Sequence, residues 1–163
     1  MTAARKAIPM SPIDSPERRR LPPLLRRAWY GLNQAFRRRL AHLGITPDQF
    51  TVMRTLLERD GISQRELTQL ISSDPNTVAS LVNRMAKAGL LERQTHEADR
   101  RANRLQLKSR GRARYEKARA IAVALQSEVL AALPAPRREQ FLADLDQVAD
   151  ACRTAALNVP ERE

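Results

Sequence analysis

The chain has 163 residues, enough for one domain with a real core and short for two. Its formal net charge of +11 draws it towards polyanions, and its single cysteine, Cys152, excludes an internal disulfide framework and fits a reduced, cytoplasmic setting. Ala, Leu and Arg dominate while aromatics make up 4%, which favours helices over sheets. No apolar stretch approaches the roughly 18–20 residues that span a bilayer, and no apolar segment follows the basic N-terminus, so neither a membrane partner nor a secretory signal is expected.

Residues 1–20 mix Pro, Ser and Arg without periodicity and read as a flexible basic arm. Residues 1–40 hold ten Lys or Arg and two acids, with triplets at Arg18-Arg19-Arg20 and Arg37-Arg38-Arg39. Pro22-Pro23 opens a helix predicted to reach about Leu43, with Leu25, Ala28, Trp29, Leu32, Phe36, Leu40 and Leu43 at steps of three and four. Gly44 ends it. Thr46 caps a second helix with Pro47 at its first position, and Phe50, Met53, Leu56 and Leu57 face inward until Asp60-Gly61 stops it.

Two short helices follow. Ser63 with Glu66 forms a capping box for the first, whose apolar positions are Leu67, Leu70 and Ile71. Ser73 or Asp74 caps the second, Pro75 starts it, Val78, Leu81, Val82 and Met85 form its inner face, and Gly89 closes it. The period then changes to two: Leu90–Thr95 and Arg101–Leu107 flank a charged turn at residues 96–100, predicting a hairpin with a long tip. From Ser109 a long helix carries Tyr115, Ala118, Ala122, Leu125, Val129 and Leu133 as a seam of alternating steps of three and four. Pro134 and Pro136 break it, and a last helix presents Phe141, Leu145, Val148, Cys152 and Ala155 on one stripe.

Two short helices around the turn Ser72-Ser73-Asp74, followed by a hairpin, give a winged helix-turn-helix layout in a mainly α fold. A recognition helix needs small or polar residues able to hydrogen-bond base edges. Here the outward positions are Asn76, Thr77, Ser80 and Asn83, with Arg84 one turn on. Ser63, Gln64 and Ser73 join them as candidate DNA contacts, and Arg100, Arg101 and Arg104 sit on the wing, where arginine suits a narrow minor groove.

The stretch SSDPNTVASLVNRMAKAGLLERQTHEADRRANRLQLKSRGR resembles the core of the multiple antibiotic resistance regulator (MarR) family. The matching features are Thr77-Val78 in the recognition helix, the exit Lys87-Ala88-Gly89-Leu90, and Arg93 opening the wing. Asp99-Arg100-Arg101 at the wing tip and the stop from Leu107 to Gly111 complete the set. ITPDQFTVMRTL and ISQRELTQLI match the helices upstream, and the likeness spans roughly residues 24–155. One departure is Leu107-Lys108 where the family has Leu-Thr, which passes the capping role to Ser109.

The resemblance implies a homodimeric regulator of transcription, with residues 21–45 and 109–158 forming a helical dimerisation region. Residues 46–108 would be the DNA-binding region, each addressing one half-site of a pseudo-palindrome. The seam from Tyr115 to Leu133 and the stripe from Phe141 to Ala155 point the same way, because one chain has too little core to cover both.

No clustered Cys, His and carboxylate set, nucleophile–base pattern or phosphate-binding glycine loop is present, so no metal, cofactor or enzymatic activity is expected. Cys152, on an apolar stripe, reads as a small buried hydrophobe. The family's small-molecule effectors, often phenols or aromatic carboxylates, lie between the dimer helices and the wing domain. Trp29, Tyr30 and Asn33 on the first helix and Phe50, Met53 and Arg54 on the second offer an aromatic wall and one guanidinium for such an acid. Trp29 equally suits a dimer core, and Arg54 an ion pair. The alternative function is a ligand-independent or non-specific architectural DNA-binding protein.

Overall fold

The computed structural model describes Ser15 and residues 20–96 and 99–158, with residues 95, 96 and 99–103 described by backbone alone. The basic arm, apart from Ser15 and Arg20, lies outside the described residues. Helix α1 spans Leu21–Leu40 with its prolines in the first turn, and a 3-10 turn, Ala41–Leu43, carries it to Gly44. Gly44 adopts φ +64°, a left-handed conformation that glycine enters without a Cβ penalty. Helix α2 is Pro47–Glu58, and its cap is reciprocal: the Gln49 amide N–H donates to the Thr46 hydroxyl while the Thr46 N–H donates to the Gln49 side chain.

Strand β1, Ile62–Ser63, leads directly into α3, Gln64–Leu70, through the expected Ser63–Glu66 capping box. Helix α4 is Pro75–Lys87, and Asp74 rather than Ser73 is its cap, accepting from the Thr77 amide at 2.9 Å. Between α3 and α4, Ser72 has φ +51°, a left-handed conformation costly for a residue with a Cβ. Ser72→Gly is therefore expected to stabilise the fold by about 0.5–1 kcal/mol, the relief exceeding glycine's extra unfolded-state entropy. Urea denaturation of the two proteins measures it, and a destabilised variant would show the turn to be unstrained.

The wing is tighter and more integrated than the pattern suggests. Strand β2 covers Leu91–His96 and β3 covers Asp99–Leu107, so Asp99 and Arg100 belong to a strand rather than to the turn. The sheet order is β1-β3-β2, both pairings antiparallel, with Ile62 opposite Leu105 and Leu91 opposite Leu107. Helix α5 runs Ser109–Leu130, and a 3-10 turn, Ala135–Arg137, leads to α6, Arg138–Leu157. Ser109 is the first helical residue, and Lys108 precedes it without any side-chain cap, correcting the expected capping role of Ser109.

One core gathers Leu40, Ile45, Phe50, Met53, Leu56, Leu67, Val78, Val82, Met85, Leu91, Leu105 and Ala118. It lies between α2, α3, α4, the inner face of the wing and the first half of α5. Where α5 begins, an added Cβ on Gly111 would lie 2.2 Å from the Leu90 carbonyl oxygen, so helix and wing meet backbone to backbone. The same carbonyl accepts from the Lys108 amide at 3.0 Å. The Arg114 guanidinium donates to the Leu43 carbonyl, and Arg39 pairs with Glu128 at 2.7 Å, joining α1 to α5.

Several predicted inward positions are not covered. Leu70 is exposed, as are Trp29 (64%), Leu32, Val129, Phe141 and Leu145. Helix α6 buries no side chain, and Cys152, expected to be a buried hydrophobe, is exposed. Among the described residues no single helix is long and apolar enough to cross a membrane.

Candidate nucleic-acid interface

Helix α4 divides cleanly. Val78, Leu81, Val82 and Met85 are buried in the core, and Asn76, Thr77, Ser80, Asn83, Arg84 and Lys87 are exposed on the other side. Amides, hydroxyls and two cations thus line one face of a 13-residue helix, a length able to lie in a major groove of about 12 Å width. The Asp74 carboxyl at its leading end is held below the usual carboxylate range, chiefly by hydrogen bonds from the Thr77 side chain and backbone. Glu66 is likewise lowered, first by the Ser63 backbone N–H. Because folding depresses both values, these caps are intact at neutral pH and are lost only as pH falls through the lowered values.

The other sequence candidates take different roles. The Ser63 hydroxyl accepts from the Glu66 amide at 3.2 Å and so closes the α3 cap. Gln64, half-buried, accepts from the Arg93 guanidinium at 3.3 Å, tying the start of α3 to β2. Ser73 is half-buried in the turn. The backbone places Arg100 and Arg101 at the outer end of β3, while their side chains lie outside the described residues.

Arg104 is a correction. It shares the wing with Arg100 and Arg101 but not their place at the outer end: it sits at the base opposite Ser63 and Gln94, and its guanidinium donates to the Gly61 carbonyl at 2.7 Å. The contact holds the wing to the α2–β1 loop, which sequence spacing does not reveal because the partners are 43 residues apart.

The proposed effector residues are only partly brought together. Met53 has no exposed surface and Phe50 is buried, so both lie beneath the surface of that region in the single chain. Phe50 meets Phe36 edge-on at 5.1 Å and stacks on Tyr115 at 5.2 Å. Tyr115, read from the sequence only as part of the α5 seam, belongs to this aromatic wall. Arg54 is exposed and pairs with Glu58 at 2.8 Å on its own helix, and the Glu58 hydrogen bond raises its pKa. Trp29 and Tyr30 project from α1 into open space, the Tyr30 hydroxyl accepting from Gln34 at 2.7 Å, and Asn33 is half-buried.

Comparison with known proteins places this geometry. The sequence pattern of the MarR family matches residues 45–102, from before α2 to within the wing. The HTH-type transcriptional repressor Rv2887 of Mycobacterium tuberculosis is 30% identical over 109 residues, 67% of this chain and 78% of that protein. Its crystal structure in complex with DNA is 29% identical, with a TM-score of 0.65, covering 83% of this chain and 98% of that one. Its complex with salicylic acid gives 30% and a TM-score of 0.66, over 83% and 97%. The transcriptional regulator HosA of Escherichia coli is 29% identical over 124 residues, 73% of this chain and 92% of that protein. The MepR–DNA complex of S. aureus, at 20% identity and a TM-score of 0.75 over 81% and 97%, shares the fold. The outward polar face of α4, its wing and these relatives lead to one conclusion: the chain belongs to the MarR family of DNA-binding transcription regulators, which are not enzymes.

Proposed function

We propose that the protein acts as a homodimeric repressor that binds a pseudo-palindromic operator and is released by a small aromatic carboxylate. The observation that carries the DNA half is the two-sided α4: four polar residues and two cations outside, four core residues behind. In that docking Asn76, Thr77 and Ser80 read base edges, Arg84 reaches the groove wall, and Arg100 and Arg101 enter the minor groove. The dimer reading draws on the uncovered apolar faces of α1, α5 and α6, since a lone chain leaves Leu24, Trp29, Val123, Phe141 and Leu145 in water.

The effector reading draws on the Phe36–Phe50–Tyr115 stack, the neighbouring Arg54, and the salicylic acid and p-aminosalicylic acid complexes of Rv2887. A carboxylate leaving water needs a charged partner; Arg54 supplies one by exchanging Glu58 for the ligand, while Trp29 or Tyr30 covers the ring. A ligand wedged there favours one spacing of the two α4 helices and DNA another, so the two oppose each other by linkage.

Selection of duplexes from a random pool, followed by titration with salicylate, tests all three parts. The expected winners carry two inverted half-sites about one helical turn apart, and saturating salicylate weakens their binding by about 5- to 150-fold. Equal binding to random and selected duplexes would favour the architectural alternative. Unchanged affinity across a panel of aromatic acids would remove the effector.

A further inference from the structure

A chain of polar side chains crosses the outer face of the wing and ends on α5. Asp60, in the loop between α2 and β1, accepts from the Gln106 side-chain amide at 3.1 Å and faces the Arg112 guanidinium at 4.0 Å. Gln106 in turn accepts from the Gln94 amide. Gln94 also donates to Glu92 at 3.2 Å, and Glu92 pairs with Lys108 at 3.5 Å. Beside Asp60, the Gly61 carbonyl takes the Arg104 guanidinium. Register explains why these groups meet: Glu92 is opposite Gln106 and Gln94 is opposite Arg104, so all four share one face, while Leu91, Leu105 and Leu107 fill the core from the other.

The two faces do different things. Apolar contact beneath the wing is non-directional, and the β1–β3 pairing holds β3 to the loop at residues 62 and 63 alone. Hydrogen bonds from one loop to two alternate residues of β3 fix an angle. Asp60 is the one anion of that loop, and it touches both the wing and α5.

We propose that Asp60 is a positioning residue for DNA binding, setting the angle of the wing against α4; this rests on the DNA-contact reading above. The lever is long. From Arg104 to the turn β3 runs about 16 Å at roughly 3.3 Å per residue, so a tilt of about 10° at its base moves the tip by about 3 Å. That displacement equals a whole hydrogen-bond length and separates arginines at the tip from the groove. Exposed pairs of this kind add little to global stability, so geometry and stability should part company when Asp60 is changed.

The test uses the full chain and a duplex that the wild-type protein itself selects from a random pool. Failure of the wild type to select any duplex would remove the DNA reading, separately from any role of Asp60. Given a selected duplex, Asp60→Ala is expected to bind it about tenfold more weakly, with a shallower salt dependence and an unchanged Tm. Amides of residues 91–96 and 99–107 should exchange faster while those of α2 and α4 do not. Asp60→Asn keeps an acceptor for Gln106 and should recover most of the affinity. Wild-type affinity in Asp60→Ala overturns the proposal. So does a loss that tracks a falling Tm with faster exchange throughout, because Asp60 would then serve the fold alone.

Discussion

Gly111→Ala is expected to lower the unfolding free energy by about 3 kcal/mol, a large share of the stability of a domain this size. The added methyl would stand 2.2 Å from the Leu90 carbonyl oxygen and 2.7 Å from Leu107 Cδ1. The first of these is backbone, already held by the Lys108 amide, so no rotamer change relieves the clash. Helix α5 must lift away from the wing, and Leu107 and Leu91 lose contact with the core. A thermal melt should show Tm falling by roughly 6–12 °C, at about 2–4 °C per kcal/mol for a chain of this length. A variant melting within about 1 °C of wild type would mean that α5 does not seat on that carbonyl.

The second large effect concerns assembly. Leu145→Glu places a charge in the middle of the α6 stripe, at a side chain that is exposed in the single chain. The isolated chain should tolerate the change, since nothing buried is disturbed. A dimer should not, because an unpaired carboxylate cannot be desolvated at that interface without a cost of several kcal/mol. Light scattering is expected to show the wild type at twice the chain mass and the variant at the chain mass, with unaltered far-UV circular dichroism. Affinity for a two-half-site duplex should fall by about 10³-fold or more, approaching non-specific binding. A variant that stays dimeric would exclude α6 from the interface, and a monomeric wild type would remove the dimer.

What the sequence makes legible here is local. The Ser63–Glu66 box, Thr46-Pro47, Asp74-Pro75 and Gly44 act within four residues of themselves, so their helix ends fall where pattern and chemistry place them. The two-sided character of α4 is a helical-wheel property and needs no tertiary knowledge. Contacts between distant segments are another matter. Strand β1 is two residues long and owes its existence to Leu105, Arg104 donates to a carbonyl 43 residues upstream, and Tyr115 stacks on a ring from α2. None of these leaves a periodic trace. The stripes of α1 and α6 are legible, yet a stripe marks an apolar face without naming its cover, and Trp29 and Cys152 stand exposed in the single chain.

The anionic cap of α4 has a consequence for how the protein searches. A helix that begins with a free positive dipole end attracts any phosphate; here the Asp74 carboxylate already fills that role and is charged at neutral pH. Backbone phosphates passing that end meet repulsion, and attraction is left to the basic residues elsewhere on the chain. In the proposed docking, the leading turns of α4 gain only where base-edge donors and acceptors match Asn76, Thr77 and Ser80. The leading end of α4 thereby penalises idle residence on the wrong sequence, and the rest of the surface keeps the protein close enough to try the next one.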